Sequence, residues 1–297
     1  MSILAARDEG WIRLNDRRLL GYAEYGVASG RPILWFHGSP GARGQLAPEA
    51  RALAVARDIR LVVIERPGVG SSTPHLYDHL VEWAHDIAQF ADARGIDRFA
   101  TIGLSGGGPY SLACAHEMPE RVIAAVTLGG VAPSVGEEAP AEGIVGRLPR
   151  AAPALSRAWR PLGRGLGRLC QALEPFADPV MDLYLRTLPP GDRAVFDDID
   201  TRRAFQRDIV VASETGMYAF FLDLILFGRP WGFSLRKIRV PVRLWQGDAD
   251  PIIPYEHGEH MAALIPDAQL RMRPGEGHLG GLGATAEVFE VLLEEWG

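Results

Sequence analysis

Short, continuously apolar runs alternate with helix-length segments along most of this 297-residue sequence. Runs of this kind lie at 33–36, 61–64, 99–102 and 122–128, and the segments between them span 43–57, 79–94 and 107–118. Strands buried on both faces of a parallel sheet have this apolar character, and each segment is long enough for a right-handed crossover helix. The alternation therefore predicts an α/β fold with a mostly parallel sheet.

The same alternation indicates the domain organisation. The preceding segment, 11–25, alternates loosely around the polar break Asn15-Asp16-Arg17, which is typical of an antiparallel hairpin at a sheet edge. The alternation stops after residue 130 and resumes with strands at 240–245 and 269–272 and helices at 255–264 and 284–296. We predict one α/β core domain, formed by residues 1–132 and 236–297, interrupted by an insertion at 133–235.

The insertion differs in composition from the core. It holds ten of the 22 prolines, and its pattern is helical, for example over 201–227, so we interpret it as a helical cap. Its aromatic residues either line a pocket or form the interior of the cap, because both roles give the same pattern. They are Trp159, Tyr184, Phe205, Tyr218, Phe220, Phe221 and Trp231.

Charge and basic residues exclude several classes of protein. The formal net charge is −6, which does not favour a partner bound through its phosphates, so no nucleic-acid partner is expected. Of the 31 basic residues only Lys237 is a lysine. The chain therefore lacks a Walker-type Gly-Lys-Ser/Thr motif, and ATPase activity is not predicted.

Cysteine content and hydropathy indicate the expected location. Cys114 and Cys170 are too few and too far apart for a disulfide framework or a cysteine-based zinc site, and we interpret them as reduced core residues. The first residues carry acids where a signal peptide has a basic flank. The most apolar run, 217–227, contains Asp223 and is shorter than the ~20 residues that span a bilayer. We expect a cytoplasmic protein without a membrane span.

A Gly-x-Ser-x-Gly motif, Gly103 to Gly107, lies directly after an apolar run and directly before a helical segment. A tight turn there can hold the Ser105 hydroxyl above the sheet, and the flanking glycines let strand and helix pass closely. The positive end of the helix then faces negative charge that develops near Ser105. We predict Ser105 as a nucleophile; the alternative is a glycine-rich turn with an incidental serine.

A serine nucleophile needs a base. His278 lies in a glycine-rich loop after the last predicted strand, from which it can reach over the ends of the central strands, although a loop histidine can also face solvent. Five other histidines are spaced like helical metal ligands but lack a convincing carboxylate or cysteine complement, so no metal site is predicted. They are His75, His79, His85, His257 and His260.

The base needs an orienting acid, and the reaction needs N–H donors for an oxyanion. Asp248 and Asp250 directly follow a predicted strand, and one of them should hold His278. Gly106 supplies the first backbone N–H donor. Ser39, in the loop after the third predicted strand, is the candidate for the second; an ordinary Pro-Gly turn is the alternative.

With these residues assembled, the chain resembles the α/β-hydrolase fold superfamily over nearly its whole length. The matching motifs are the oxyanion loop His37-Gly-Ser-Pro40, the nucleophile elbow Gly103–Gly107, the acid motif Gly247-Asp-Ala-Asp250 and the histidine loop Gly277-His278. The acid motif selects Asp250 over Asp248. Arg66 to Ser72 resembles the loop after the fourth strand, but Glu65 stands where the family usually has Asp. The resemblance implies an eight-stranded, mostly parallel sheet flanked by helices, with a helical cap inserted after the sixth strand.

These residues predict a serine hydrolase that acts on an ester or similar carbonyl of a small molecule through an acyl-enzyme, without a cofactor. Ser105 attacks, His278 transfers the proton, Asp250 orients His278, and the N–H groups of Ser39 and Gly106 hold the oxyanion. A serine nucleophile argues against haloalkane dehalogenases and epoxide hydrolases. Carbon–carbon hydrolase, haloperoxidase, prolyl aminopeptidase and lyase activities stay open, as does a binding protein on the same fold.

Charge is unevenly distributed along the insertion. Residues 143–173 include six arginines and no acid. The caps of prolyl aminopeptidases, by contrast, look acidic, which suits binding of a substrate amine. This segment therefore disfavours the aminopeptidase. If it borders the pocket, it favours anionic or polar-headed substrates; the alternative is a solvated arginine face of a helix.

Overall fold

A computed structural model gives the fold of residues 5–140 and 148–296. Its centre is an eight-stranded sheet with the order β1-β2-β4-β3-β5-β6-β7-β8. The strands are β1 (Asp8–Arg13), β2 (Leu19–Gly26), β3 (Arg31–Phe36), β4 (Ile59–Ile64), β5 (Phe99–Leu104), β6 (Val122–Leu128), β7 (Val242–Gly247) and β8 (Ala268–Arg273). The predicted hairpin, β1 and β2, pairs antiparallel, whereas β3 to β8 are parallel. The predicted mostly parallel sheet is confirmed.

Helices flank the sheet and fill the segment between β6 and β7. The helices of the described residues are α1 (Pro48–Ala56), α2 (Trp83–Ala93), α3 (Gly108–Glu117), α4 (Leu148–Leu173), α5 (Ala177–Leu185), α6 (Pro190–Val195), α7 (Ile199–Glu214), α8 (Tyr218–Phe227), α9 (Tyr255–Leu264) and α10 (Thr285–Glu295). Helices α4 to α8 follow the sixth strand and precede β7. We call residues 148–227 the helical insertion.

Alternate side chains of the central strands bury two separate apolar layers. In β3, Leu34 and Phe36 pack with α2 and α3 on one face. Ile33 and Trp35 pack with α1 and α10 on the other face. Because both faces are covered, the central strands are buried and largely apolar, which is why most of them read as continuous runs in the sequence.

Two helices differ from the sequence-based expectation. The helix predicted at 43–57 begins only at Pro48, where proline fits the first turn. The helical pattern over 201–227 is two helices, α7 and α8, bent by 89°. Gly216 between them has φ +106°, a conformation that favours glycine. An amphipathic pattern continues across such a break, so periodicity alone does not detect it.

None of the described helices is by itself long and apolar enough to cross a membrane; α7 and α8 meet the length and composition requirement only as a bent pair. Both cysteines are free thiols. Cys114 is buried as predicted, but Cys170 is only half-buried.

Strand β5 and helix α3 approach each other as closely as the glycine motif predicts. A Cβ on Gly103 would lie 2.3 Å from the carbonyl oxygen of Gly107. A Cβ on Gly107 would lie 2.2 Å from the carbonyl oxygen of Phe36. Both clashes are with backbone, which cannot rotate away, so the turn that carries Ser105 requires glycine at both positions.

Substitution Gly103→Ala should therefore lower the free energy of unfolding by roughly 1–3 kcal/mol or more, since the added methyl overpacks the backbone. Urea denaturation measures the change. Gly165→Ala is the matched control, because nothing lies within 4 Å of a Cβ at that exposed position of α4. It should leave stability unchanged or raise it by up to about 1 kcal/mol. Equal stability of Gly103→Ala and the wild type would contradict the close approach.

Candidate active site

Three loops that follow neighbouring parallel strands meet at one edge of the sheet. Ser105 directly follows β5, Asp250 follows β7 and His278 follows β8. These strands lie on one side of the sheet in the order β5-β6-β7-β8, so their carboxyl ends share an edge. The topology thus brings together side chains that are far apart in the sequence.

The backbone at Ser105 is in the left-handed region, with φ +52°. A 3-10 turn, Ser105–Gly107, then leads directly into α3. Non-glycine residues rarely adopt this conformation, and it persists only where the surrounding structure imposes it. The turn raises the Ser105 side chain above the strand ends, at the N-terminal end of α3.

The three predicted side chains form a continuous hydrogen-bond relay. The Ser105 hydroxyl lies 2.6 Å from Nε2 of His278, and Nδ1 of His278 lies 2.8 Å from Oδ2 of Asp250. All three are at most 8% exposed. With the Nδ1 proton directed to Asp250, Nε2 is free to accept the Ser105 proton. The arrangement can activate a serine nucleophile.

The two candidate acids have different surroundings. Asp250 is buried, and its Oδ1 accepts hydrogen bonds from the N–H groups of Ile252 and Ile253 at 2.8 and 2.9 Å. These bonds hold the carboxylate so that Oδ2 faces His278. Asp248 is exposed and instead accepts a hydrogen bond of 2.7 Å from the N–H of Gly275. Only Asp250 reaches the imidazole.

The predicted oxyanion residues lie beside the serine. A Cβ on Gly106 would be 2.6 Å from Oγ of Ser39, and a Cβ on Gly38 would be 3.5 Å from Cβ of Ser105. Among the described residues, none accepts a hydrogen bond from the Ser39 N–H. Ser39 and Gly106 therefore lie beside the nucleophile, where backbone N–H groups can bind a developing negative charge.

An arginine that sequence reasoning left without a role organises this loop. Arg66 donates hydrogen bonds to the carbonyl oxygens of His37 and Gly38 and to Oγ of Ser39. It is 1% exposed and forms a 2.7 Å ion pair with Asp223 of α8. A buried guanidinium needs such partners for its charge and its donors. Arg66 thus connects the loop after β3 to the helical insertion.

Asp223 itself is a sequence signal for this contact. It is the one acid within the apolar segment 217–227, and a charge in such a run must be paired once it is buried. Its Oδ1 accepts a 2.6 Å hydrogen bond from the hydroxyl of Tyr110 in α3. Burial and the charge of Asp223 raise the pKa of Tyr110 well above its usual range, which keeps the phenol protonated as the donor.

Two further buried aspartates of the insertion bind the same loops, and neither has a distinctive sequence signal. Asp208 of α7 accepts hydrogen bonds from the N–H groups of Ala42 and Gly44. Asp192 of α6 accepts hydrogen bonds from the N–H groups of Gly277 and Leu279. Asp192 thus binds the backbone on both sides of His278, and Asp208 binds the backbone three and five residues after Ser39.

Glu65 fills the position where the resemblance led us to expect Asp. Its Oε2 accepts a 2.8 Å hydrogen bond from the N–H of Ser71, which closes the loop after β4. A Cβ on Gly21 would lie only 2.1 Å from this oxygen. The longer side chain is thus accommodated by a glycine in the neighbouring strand, and burial raises the pKa of Glu65.

Three of the seven candidate pocket aromatics illustrate two different roles. Trp231 is buried in the core of the α/β domain. Tyr184 and Phe205 line an apolar cleft of about 200 Å³ between α4, α5 and α7. Both also pack against a buried apolar cluster that includes Leu279, the residue after His278. The cleft and the loop that carries the imidazole thus contact the same cluster.

The arginine-rich segment forms one face of α4. Residues 143–147, with Arg147, lie outside the described residues. The other arginines, Arg150, Arg157, Arg160, Arg164 and Arg168, are all exposed. This placement agrees with a solvated arginine face. Within residues 5–140 and 148–296, no group of three or more histidine, cysteine, aspartate or glutamate side chains is arranged to hold a metal ion.

Comparison with known proteins supports the fold over most of the chain. A family model described as the alpha/beta hydrolase fold matches residues 31–284. A proline iminopeptidase of Neisseria meningitidis serogroup A is 31% identical over 123 residues, a match that covers 40% of this chain and 39% of that relative. The sequence similarity thus extends over about two fifths of each protein.

Solved structures resemble the whole chain at lower identity. An alpha/beta hydrolase fold protein from Nakamurella multipartita has a TM-score of 0.73 and 24% identity, covering 98% of this chain and 100% of its own. A thermophilic esterase from Thermogutta terrifontis has a TM-score of 0.69 and 20% identity, covering 97% and 99%. A bromoperoxidase from Bacillus anthracis has a TM-score of 0.69 and 19% identity, covering 97% and 100%. At these sequence identities, the similarity shows a shared fold and nothing more.

Asp208 leads to a pH prediction. Burial, reinforced by the charge of Glu65 and opposed by its two amide donors and Arg51, raises the pKa of Asp208 from 3.8 to about 7. The folded protein therefore holds this proton more tightly than the unfolded chain does. The contribution to stability is complete below the unfolded pKa and is lost as pH rises through the folded pKa.

The unfolding free energy of the wild type, relative to Asp208→Asn, should therefore fall as pH rises from about 5 to about 7 and level off near pH 8. Urea denaturation at each pH measures the difference. Asp197→Asn, at an exposed position of the same insertion, is the control and should show no such trend. A pH-independent difference for Asp208→Asn would contradict the raised pKa.

Proposed function

The chain belongs to the alpha/beta hydrolase fold family, and on that premise we propose that it is a serine hydrolase. Its substrate is a small molecule with an ester or similar carbonyl group, and the reaction proceeds through an acyl-enzyme. The observation that carries the proposal is the buried relay from Ser105 through His278 to Asp250, with distances of 2.6 and 2.8 Å. These distances suit proton transfer from the hydroxyl to the imidazole without rearrangement.

In the first half of the reaction, Oγ of Ser105 attacks the carbonyl carbon while its proton passes to Nε2 of His278. The carbonyl oxygen becomes an oxyanion bound by the N–H groups of Ser39 and Gly106. When the tetrahedral intermediate collapses, the leaving alkoxide takes the proton from His278. The alcohol departs and an acyl group remains on Ser105.

In the second half, water attacks the acyl carbon and gives a proton to Nε2 of His278. A second oxyanion forms at the same N–H groups. Its collapse expels Oγ of Ser105, which recovers the proton from His278, and the carboxylic acid leaves. Asp250 orients His278 and stabilises the imidazolium. The cycle needs no metal and no cofactor.

The buried acids of the insertion favour an ester over a substrate with a free amine. Among residues 148–227 the buried carboxylates are Asp192, Asp208 and Asp223. Each is at most 2% exposed and accepts hydrogen bonds from protein donors, so none of the three faces a substrate ammonium group. The cleft between α4, α5 and α7 is lined mainly by apolar side chains, which suit an uncharged acyl or alkyl group.

A second candidate is removal of N-terminal proline, because a proline iminopeptidase is 31% identical to the chain over 123 residues. Rates on p-nitrophenyl esters and on proline p-nitroanilide distinguish the two functions. Esterase turnover with negligible release of nitroaniline supports the ester hydrolase. The reverse preference would assign the aminopeptidase.

The proposal predicts that Ser105→Ala loses ester hydrolysis by roughly 10⁶-fold in kcat because the nucleophile is gone. Rates on p-nitrophenyl acetate measure this loss. The variant should keep the circular dichroism spectrum of the wild type, since the left-handed turn accepts alanine as well as serine. A folded Ser105→Ala protein with the wild-type rate would exclude the proposed nucleophile.

The two neighbouring acids give a matched pair of variants. Asp250→Asn should lower kcat by roughly 10⁴-fold, because an amide at this position favours the wrong imidazole tautomer. Asp248→Asn should change kcat by less than about tenfold, because Asp248 only bonds the N–H of Gly275. Steady-state kinetics on one ester measures both variants. Equal effects would show that Asp250 has no special role.

A further inference from the structure

Three successive helices of the helical insertion each bring one buried carboxylate to the sheet edge. Asp192 comes from α6, Asp208 from α7 and Asp223 from α8. All three are at most 2% exposed. Burial of an ionised carboxylate is costly unless hydrogen bonds or a counter-charge compensate it, so the position of each group and its partners should matter.

The backbone partners of Asp192 and Asp208, and Ser39 among the partners of Asp223, belong to two loops. The oxyanion loop is residues 37–45, which carry Ser39. The histidine loop is residues 274–281, which carry His278. No regular ladder bonds hold these loops, and their backbone N–H groups therefore need other acceptors.

Asp223 holds the first half of the oxyanion loop. Its Oδ2 accepts hydrogen bonds from Oγ of Ser39 and from Arg66, the latter at 2.7 Å. Arg66 in turn donates to the carbonyl oxygens of His37 and Gly38. The guanidinium also lies over the ring of Tyr110, 4.9 Å from its centroid. The backbone before the Ser39 N–H is thus held from α8 through Arg66, and the Ser39 side chain is held by Asp223 directly.

Asp208 holds the second half of the same loop. Its two carboxylate oxygens accept hydrogen bonds from the N–H groups of Ala42 and Gly44 at 2.7 and 2.8 Å. Gln45 closes the loop from within, since its side chain accepts from Gly38 N–H and donates to the carbonyl oxygen of Pro40. The loop is therefore fixed at both ends by the insertion.

Asp192 holds the histidine loop. Its Oδ1 and Oδ2 accept hydrogen bonds from the N–H groups of Gly277 and Leu279 at 2.6 and 3.0 Å. These two residues flank His278 directly. A carboxylate that bonds the backbone on both sides of His278 fixes the position of the imidazole ring relative to Ser105.

We propose that Asp192, Asp208 and Asp223 are positioning residues through which the helical insertion holds the oxyanion loop and the histidine loop in their reactive geometry. The inference rests on the proposed hydrolase function. It makes the insertion part of the catalytic apparatus in addition to any role in covering the substrate. None of the three carboxylates touches the reacting atoms.

The physical basis is preorganisation. An oxyanion site stabilises the transition state only if its N–H donors already point to where charge develops. Small displacements of such groups have large effects on rate and small effects on ground-state binding. Loss of a holding carboxylate should therefore lower kcat and weaken binding of a transition-state analogue, while KM changes little.

The test uses Asp192→Asn, Asp208→Asn and Asp223→Asn in the full chain, with Asp197→Asn as the exposed control. An amide nitrogen carries hydrogens and cannot accept, so each variant loses at least one of the bonds that its carboxylate receives. The lost donors are backbone N–H groups for Asp192 and Asp208, and side-chain donors for Asp223. We expect kcat on p-nitrophenyl acetate to fall by roughly 10–100-fold, with KM within about threefold of the wild type. Inhibition by an alkyl trifluoromethyl ketone should weaken in the same proportion.

Amide hydrogen exchange supplies a readout that does not depend on activity. Exchange should accelerate in 37–45 for Asp208→Asn and Asp223→Asn, and in 274–281 for Asp192→Asn. If the wild type proves not to be a hydrolase, this arm still decides whether the carboxylates hold the loops. Variants with unchanged loop exchange and unchanged kcat, whatever their thermal stability, would overturn the proposal.

Tyr110→Phe keeps the test decisive if an aspartate variant does not fold. It removes one donor to Asp223 and retains the ring that packs under Arg66. We expect a smaller loss of kcat and faster exchange confined to 37–45. Wild-type exchange and wild-type inhibitor affinity in this variant would contradict the role of Asp223.

Discussion

The backbone turn at Ser105 is the constraint on which the rest of the site depends. It joins a strand buried on both faces to a helix that lies against the sheet, and it does so with a serine in the left-handed conformation. Glycines at 103 and 107 make this possible, because any side chain there would collide with backbone. The sheet topology then supplies the partners, since the loops after β7 and β8 end at the same edge.

The same edge is completed by the helical insertion. The oxyanion loop contains few regular backbone bonds, and its shape is set by Arg66 and by carboxylates from α7 and α8. Within residues 5–140 and 148–296, the ion pair of Arg66 is with Asp223 of the insertion. Core and insertion are therefore electrostatically interdependent, and movement of one against the other would disturb the N–H donors beside Ser105.

Sequence patterns predicted the strands and the candidate catalytic residues, because these follow from periodicity and from short motifs at strand ends. The strands are buried on both faces and so read as apolar runs, and Ser105, Asp250 and His278 follow strand ends where the topology brings them together. Asp250 was separated from Asp248 only by resemblance; the structure shows the physical difference, a buried carboxylate against an exposed one. The break at Gly216 was missed because helical periodicity continues across it.

The hydrogen bonds between the carboxylates of the insertion and the two loops were not predictable from the sequence, because they depend on how the helices of the insertion pack. Asp192 and Asp208 look like ordinary surface acids in an amphipathic pattern, and only their tertiary position buries them. Asp223 was the exception, since an acid within an apolar run must find a partner. Arg66 belongs to a loop motif whose local pattern does not reveal that its side chain faces the neighbouring loop.

The central claim, that Ser105 is an activated nucleophile, is tested most directly by covalent labelling. A fluorophosphonate reacts with a serine only where a base removes its proton and an oxyanion site accepts the developing charge. Peptide mass spectrometry of the treated protein should find one adduct, on Ser105, that is absent from Ser105→Ala. A wild-type protein without an adduct on Ser105 would contradict the account.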